Sequence, residues 1–144
     1  MCFGIFKKKV DLVQLEPTSK VEILLGDKVN LLQSLFPNIP LFLTHKHSLA
    51  NYNDIAVFLA QDQTNKYPYD FPDYVCSDFS FRLMGQFSIP GWADITFGIA
   101  WTDIHALNCI ITEDKEFYFV EPQSDKILKM LKPTMGERIR FIMI

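Results

Sequence analysis

His105-Ala-Leu-Asn-Cys-Ile-Ile-Thr112, the charged piece Glu113-Asp-Lys115, and Glu116-Phe-Tyr-Phe-Val-Glu-Pro122 form the stretch that decides the fold. Two runs of β-branched, aromatic and aliphatic residues flank a short polar break, which is the pattern of a β-hairpin. A reversal centred near Glu113 and Asp114 opposes positions whose numbers sum to about 227. That register sets Glu121 across from His105. Pro122 cannot donate to a ladder and is expected to end the pairing just after Glu121.

Outward from the hairpin, Ile95–Trp101 and Arg138–Ile144 also read as strands. Upstream, Val21–Leu25 reads as a strand ending at Gly26. Asp27 is expected to cap a helix through Phe36, with Val29, Leu32, Leu35 and Phe36 on one face. Ser48 is expected to cap a second helix through Gln61, striped by Leu49, Tyr52, Ala56 and Leu59. Residues 62–73 form a polar, proline-containing loop. Asp73 is expected to cap a third helix on which Phe79, Leu83 and Phe87 recur every four residues beside Met84. Downstream, Ser124 is expected to open a short helix carrying Ile127, Leu128 and Leu131, stopped by Pro133. Helices gathered before a mostly antiparallel sheet predict an α+β fold.

The composition fits one such unit. A chain of 144 residues and 16.7 kDa is expected to bury roughly 68–70% of its unfolded surface. Thirteen phenylalanines predict an aromatic core, and a net charge of −3 offers no basic field for nucleic acid. Cys2, Cys76 and Cys109 are too few and too scattered for a disulfide framework, which points to a reducing, cytoplasmic setting. No apolar run approaches the ~18 residues that span a bilayer. The order of the first nine residues, Met-Cys-Phe-Gly-Ile-Phe before Lys7-Lys8-Lys9, is the reverse of a secretory signal. Cys2 beside those lysines is a candidate for acylation, but a lightly packed terminus is the preferred reading.

Cys76, His105 and Glu121 carry the chemistry. With Asp73 as cap, Cys76 falls at the third helical position, where free backbone N–H groups and the positive end of the helix dipole favour a thiolate. Asp78 opposes that effect unless it faces elsewhere. A carboxylate across the hairpin would hold the His105 tautomer and stabilise its cationic form. The sequence therefore proposes Cys76 as nucleophile, His105 as base and Glu121 as orienting group. The Cys76 N–H is a first oxyanion donor, and Asn108 and Gln123 are supporting polar residues.

At these residues the chain resembles a known family. Tyr74-Val-Cys-Ser-Asp-Phe-Ser80, His105-Ala-Leu-Asn108 and Phe119-Val-Glu-Pro-Gln-Ser-Asp-Lys-Ile127 are similar to the papain-like C-terminal domain of the fungal galactose-binding agglutinins. They are still more similar to small stand-alone bacterial and phage relatives. The resemblance covers 41–127, with 1–40 a variable N-terminal part and 128–144 a closing segment of one papain-like domain, 1–144. It implies a cysteine protease acting on a protein or peptide through a thioester on Cys76, His105 and Glu121, in a bacterial or phage-infected cell. The fungal domain is calcium-dependent, so calcium is a possible cofactor. The fungal sugar-binding β-trefoil is absent from the sequence, so sugar binding is not carried over. One departure stands out: Asp103-Ile104 precedes His105 where relatives usually have glycine.

Other readings are weaker. One alternative is a non-catalytic phage or mobile-element protein that keeps the fold while binding or inhibiting a host protein; another is a peptidoglycan amidase or endopeptidase applying the same chemistry to a different substrate. Cys2 after an initiator methionine resembles an N-terminal nucleophile but is off by one residue. His45 and His47 could be half of a metal site, although a solvated loop is expected. Trp92 and Trp101 are expected to pack rather than to hold sugar.

Overall fold

The computed structural model describes residues 16–144. In chain order the elements are β1 (Lys20–Glu22), α1 (Leu25–Leu35), β2 (Leu41–Phe42), β3 (Ser48–Ala50), α2 (Tyr52–Gln61) and α3 (Cys76–Phe87). Then come β4 (Phe97–Thr102), β5 (Ala106–Ile111), β6 (Phe117–Glu121), β7 (Lys126–Leu128) and β8 (Ile139–Met143). Six strands form one sheet in the order β2-β8-β4-β5-β6-β7. All its neighbours are antiparallel except β2 and β8, and β1 pairs with β3 separately. The fold is α+β, with helices packed on a mostly antiparallel sheet.

The central strands are buried on both faces, because period-two alternation feeds two cores. Leu107, Cys109 and Ile111 of β5, with Phe117 and Phe119 of β6, pack with Leu32 of α1. Ile110 and Val120 point the other way, into a cluster with Ile55, Phe58 and Leu59 of α2 and Leu83 and Phe87 of α3. In that second core Phe87 stacks between Phe58 and Phe97, with centroids 3.9 and 4.0 Å away. Burying each such side chain contributes roughly 1.5–3 kcal/mol. The expected stripe Phe79, Leu83 and Phe87 is therefore the buried face of α3.

Several expectations fail at element ends. α1 begins at Leu25, inside the predicted strand, and Asp27 lies in its first turn rather than at its cap. Of its expected stripe only Leu32 is fully buried; the other buried residue is Lys28, whose ammonium donates to the carbonyls of Thr44 and Lys46 at 3.3 and 2.7 Å. Ser48 and Leu49 belong to β3, and the cap of α2 is Asn51, whose side chain accepts the Asp54 N–H at 2.8 Å. The helix expected after Ser124 is instead a tight turn and strand β7. The Ser124 and Asp125 N–H groups both bond the Glu121 carbonyl, and Asp125 adopts φ 60°, which turns the chain back along β6. Pairing with β6 outweighs the weak helical spacing of three apolar residues. Cys2, Lys7–Lys9 and the acylation reading lie outside the described residues.

Candidate functional site

The loop before α3 sets the cysteine. Asp70 and Tyr74 exchange backbone hydrogen bonds, Tyr74 packs edge-on against Phe79 at 4.6 Å, and the Arg82 guanidinium lies 4.0 Å over the Tyr67 ring. The chain thus enters the helix from Val75, whose extended backbone makes it the N-cap in place of Asp73. Cys76 becomes the first helical residue, not the third. It still sits where backbone N–H groups lack helical partners. Asp78 bends back to accept the Val75 N–H at 2.9 Å, so its carboxylate is engaged in capping. Cys76 is partly exposed; Cys109 is buried.

The histidine is presented by the turn between β4 and β5. Thr102 Oγ1 accepts the His105 N–H at 2.9 Å, and the Thr102 N–H bonds the His105 carbonyl at 2.8 Å. Asp103 pairs with Arg138, at 2.8 Å, and with Arg140, both flanking or within β8. Neither Asp103 nor Ile104 has a positive φ, so this turn does not require a glycine. Thr102 and Asp103 are the residues that sequence reasoning missed. A threonine three places before the histidine was the available signal.

His105 Nε2 and Glu121 Oε2 lie 2.6 Å apart, the ring N–H donating to the carboxylate. The ladder register is one off the expected sum, with Asn108 opposite Val120, yet Glu121 still reaches back to His105. Glu121 is steadied in turn by the Gln123 backbone N–H, at 3.2 Å from its Oε1. The hydrogen bond and charge of Glu121 lift the His105 pKa to about 9 against the opposing pull of burial. The neighbouring Cys76 side chain adds to the rise. His105 is thus cationic at neutral pH, hydrogen-bonded to Glu121 and with the Cys76 side chain as an electrostatic neighbour.

The supporting residues act differently from expectation. Asn108 is fully buried, and its Nδ2 donates to the carbonyls of Ser80 and Gly98, both at 3.0 Å. Its donor is therefore committed and does not serve an oxyanion. Gln123 contributes its backbone N–H to Glu121. His45 and His47 are exposed, with His47 Nδ1 against the His45 carbonyl, as a solvated loop requires. Trp92 is core, and Trp101 packs between Phe81 and Phe141. Among the described residues no cluster of three or more His, Cys, Asp or Glu side chains is arranged to hold a metal ion. No described helix is long and apolar enough to cross a membrane.

No family model matches the sequence, and no curated protein matches it. Among solved structures, PSL1a in complex with E64 superposes with a TM-score of 0.68 at 12% identity, over 87% of this chain and 50% of that one. A Polyporus squamosus lectin bound to the human-type influenza-binding epitope Neu5Acα2-6Galβ1-4GlcNAc superposes with a TM-score of 0.56 at 15% identity. That match covers 74% of this chain and 42% of the lectin. The fold is fungal-agglutinin-like. The chain spans about half the length of PSL1a.

That finding corrects the functional expectation. The fold relation that suggested a cysteine protease leads to lectins, one of them seen on a glycan. Amide hydrolysis of a protein or peptide, the peptidoglycan variant and the assignment of a catalytic triad are withdrawn. The His105–Glu121 pair, with Cys76 acting on the ring, stands without an assigned turnover.

Proposed function

We propose that this chain is a ligand-binding module and that its ligand site is at Cys76, His105 and Glu121. The observation that carries this reading is the 2.6 Å His105–Glu121 hydrogen bond, with the partly exposed Cys76 acting on the same ring. Cys76 is the nucleophilic side chain of the three, and a helix start beside an imidazolium is a setting in which thiols react. The ligand class is a small molecule with an electrophilic carbon. Sulfur bonds that carbon, and the leaving group departs with the bonding pair. Where a strained ring opens instead, the freed oxygen takes its proton from His105. The PSL1a complex with E64 supports a search for a compact ligand of this kind.

The same geometry supports a finer reading of the fold: a papain-like core over 41–127 within one unit of 1–144, akin to stand-alone bacterial and phage relatives. A cysteine at a helix start against a histidine on a hairpin is the arrangement that supports it.

The test uses iodoacetamide at pH 6, where an ordinary thiol is sluggish, followed by peptide mass mapping. One adduct per chain on Cys76 is expected, with E64 blocking it. Equal, slow labelling of Cys76 and a free cysteine peptide would overturn the reading. Binding of Neu5Acα2-6Galβ1-4GlcNAc that survives Cys76→Ala would move the ligand site away from the thiol.

A further inference from the structure

We infer that Asn108 is a positioning residue: its side chain sets the separation between the Cys76 thiol and the His105 ring by tying α3 to the sheet. The inference rests on the proposed ligand site and deepens it.

The two reactive groups belong to different layers. Cys76 opens α3, and His105 immediately precedes β5. A helix and a sheet share no backbone ladder, so side chains alone fix how far apart they lie. Asn108 supplies a directed link. One Nδ2 hydrogen goes to the Ser80 carbonyl, one helical turn beyond Cys76, and the other to the Gly98 carbonyl on β4. Asn108 itself is three residues beyond His105 on β5 and lies opposite Ile99 of β4 and Val120 of β6. A single amide therefore joins the helix of the sulfur, the strand of the ring and the strand that enters the Thr102–His105 turn.

Packing does not ask for an asparagine there. The neighbouring inward positions on this face, Ile110 and Val120, are apolar. Asn108 is fully buried, and its Oδ1 makes no hydrogen bond among the described residues. A buried amide with an unpaired oxygen is a cost that an aliphatic residue would not incur. What the amide adds is direction and a fixed length, because two hydrogen bonds constrain α3 where apolar contact lets it slide.

The experiment compares wild type with Asn108→Leu, Asn108→Ser and, as a control for loosened packing of the same helix, Leu83→Ala. Three quantities are read: the iodoacetamide rate at Cys76 at pH 6, the NMR titration midpoint of the His105 ring, and the melting temperature. Both Asn108 variants should slow Cys76 labelling by about tenfold or more and shift the His105 midpoint down. Leu83→Ala should lower the melting temperature while leaving rate and midpoint near wild type. Asn108 variants that label within about a factor of two of wild type, with an unmoved midpoint, would make Asn108 a core residue only. Failure of both Asn108 variants to fold, where Leu83→Ala folds, would overturn the proposal in the same way. If wild type shows no selective labelling, the ligand site itself is wrong and the inference falls with it. If wild type labels selectively and the variants match it, only the role of Asn108 is lost.

Discussion

Cys76 and Cys109 carry the same thiol into opposite surroundings. Cys109 sits mid-strand in β5 with no exposure, in the core shared with α1, and burial pushes its thiol pKa up strongly. Lys28, itself held down to about 8 by burial, is a cation that acts on it in the opposite direction. Cys76 is at a helix start, partly open to solvent, and beside an imidazolium that a carboxylate holds in place. The lesson is that reactivity here belongs to position: one cysteine is a small apolar residue, the other the neighbour of an ion pair.

The comparison can be broken most directly by rate. At pH 6 the labelling of Cys76 should exceed that of Cys109 by about a thousandfold or more, since Cys109 reacts only when the sheet opens. Comparable rates, measured by mass mapping in the folded protein, would erase the distinction.

A next effect comes from Gly98, which lies opposite Cys109 across the β4–β5 ladder. A Cβ there would stand 1.9 Å from the Met143 carbonyl oxygen, a backbone atom of β8 that cannot step aside. Gly98→Ala should cost about 3 kcal/mol or more in chemical denaturation and should speed Cys109 labelling as β4 and β8 separate. Unchanged stability would mean that β8 does not approach β4 so closely.

The His105–Glu121 pair also makes stability depend on pH. The pKa of His105 is raised in the fold, so its contribution is fully present below about 6.5 and is lost as pH rises through about 9. The stability advantage of wild type over His105→Gln should shrink by roughly 2 kcal/mol between pH 6 and 9.5, after allowance for the site's contact with water. The difference between the two proteins cancels Lys28, whose lowered pKa acts in the opposite sense at higher pH. A flat difference would remove the ion pair from the account.

The smallest effect is expected at the turn before His105. Asp103→Ala removes the partners of Arg138 and Arg140 on an exposed surface. The melting temperature should hardly move, and Cys76 labelling should slow by about threefold at most. A larger loss would promote Asp103 from a brace of the turn to a determinant of the site.

Much of this was legible in the chain. The hairpin from Ala106 to Glu121 was readable because β-branched and aromatic runs flank a charged break, and α3 because Phe79, Leu83 and Phe87 share one face. The contact between His105 and Glu121 was readable despite a register error of one, because a glutamate is long enough to reach a diagonal neighbour. The helix assigned after Ser124 failed because Ile127 and Leu128 alternate across a sheet as readily as they line a helix. The sequence also gave no sign that α1 would cover the opposite face from α2 and α3. That arrangement depends on long-range packing, and Lys28 at a core position disguises the buried side of α1. The role of Asn108 was hidden for a similar reason: its acceptors, Ser80 and Gly98, are backbone carbonyls distant in the chain.

The central claim is that sulfur, ring and carboxylate act as one coupled unit, and an NMR titration of the His105 ring tests it most directly. The account predicts a midpoint near 9 that falls on Glu121→Gln and, by a smaller amount, on Cys76→Ala. A midpoint near 6.5 in wild type, unmoved by either substitution, would contradict it.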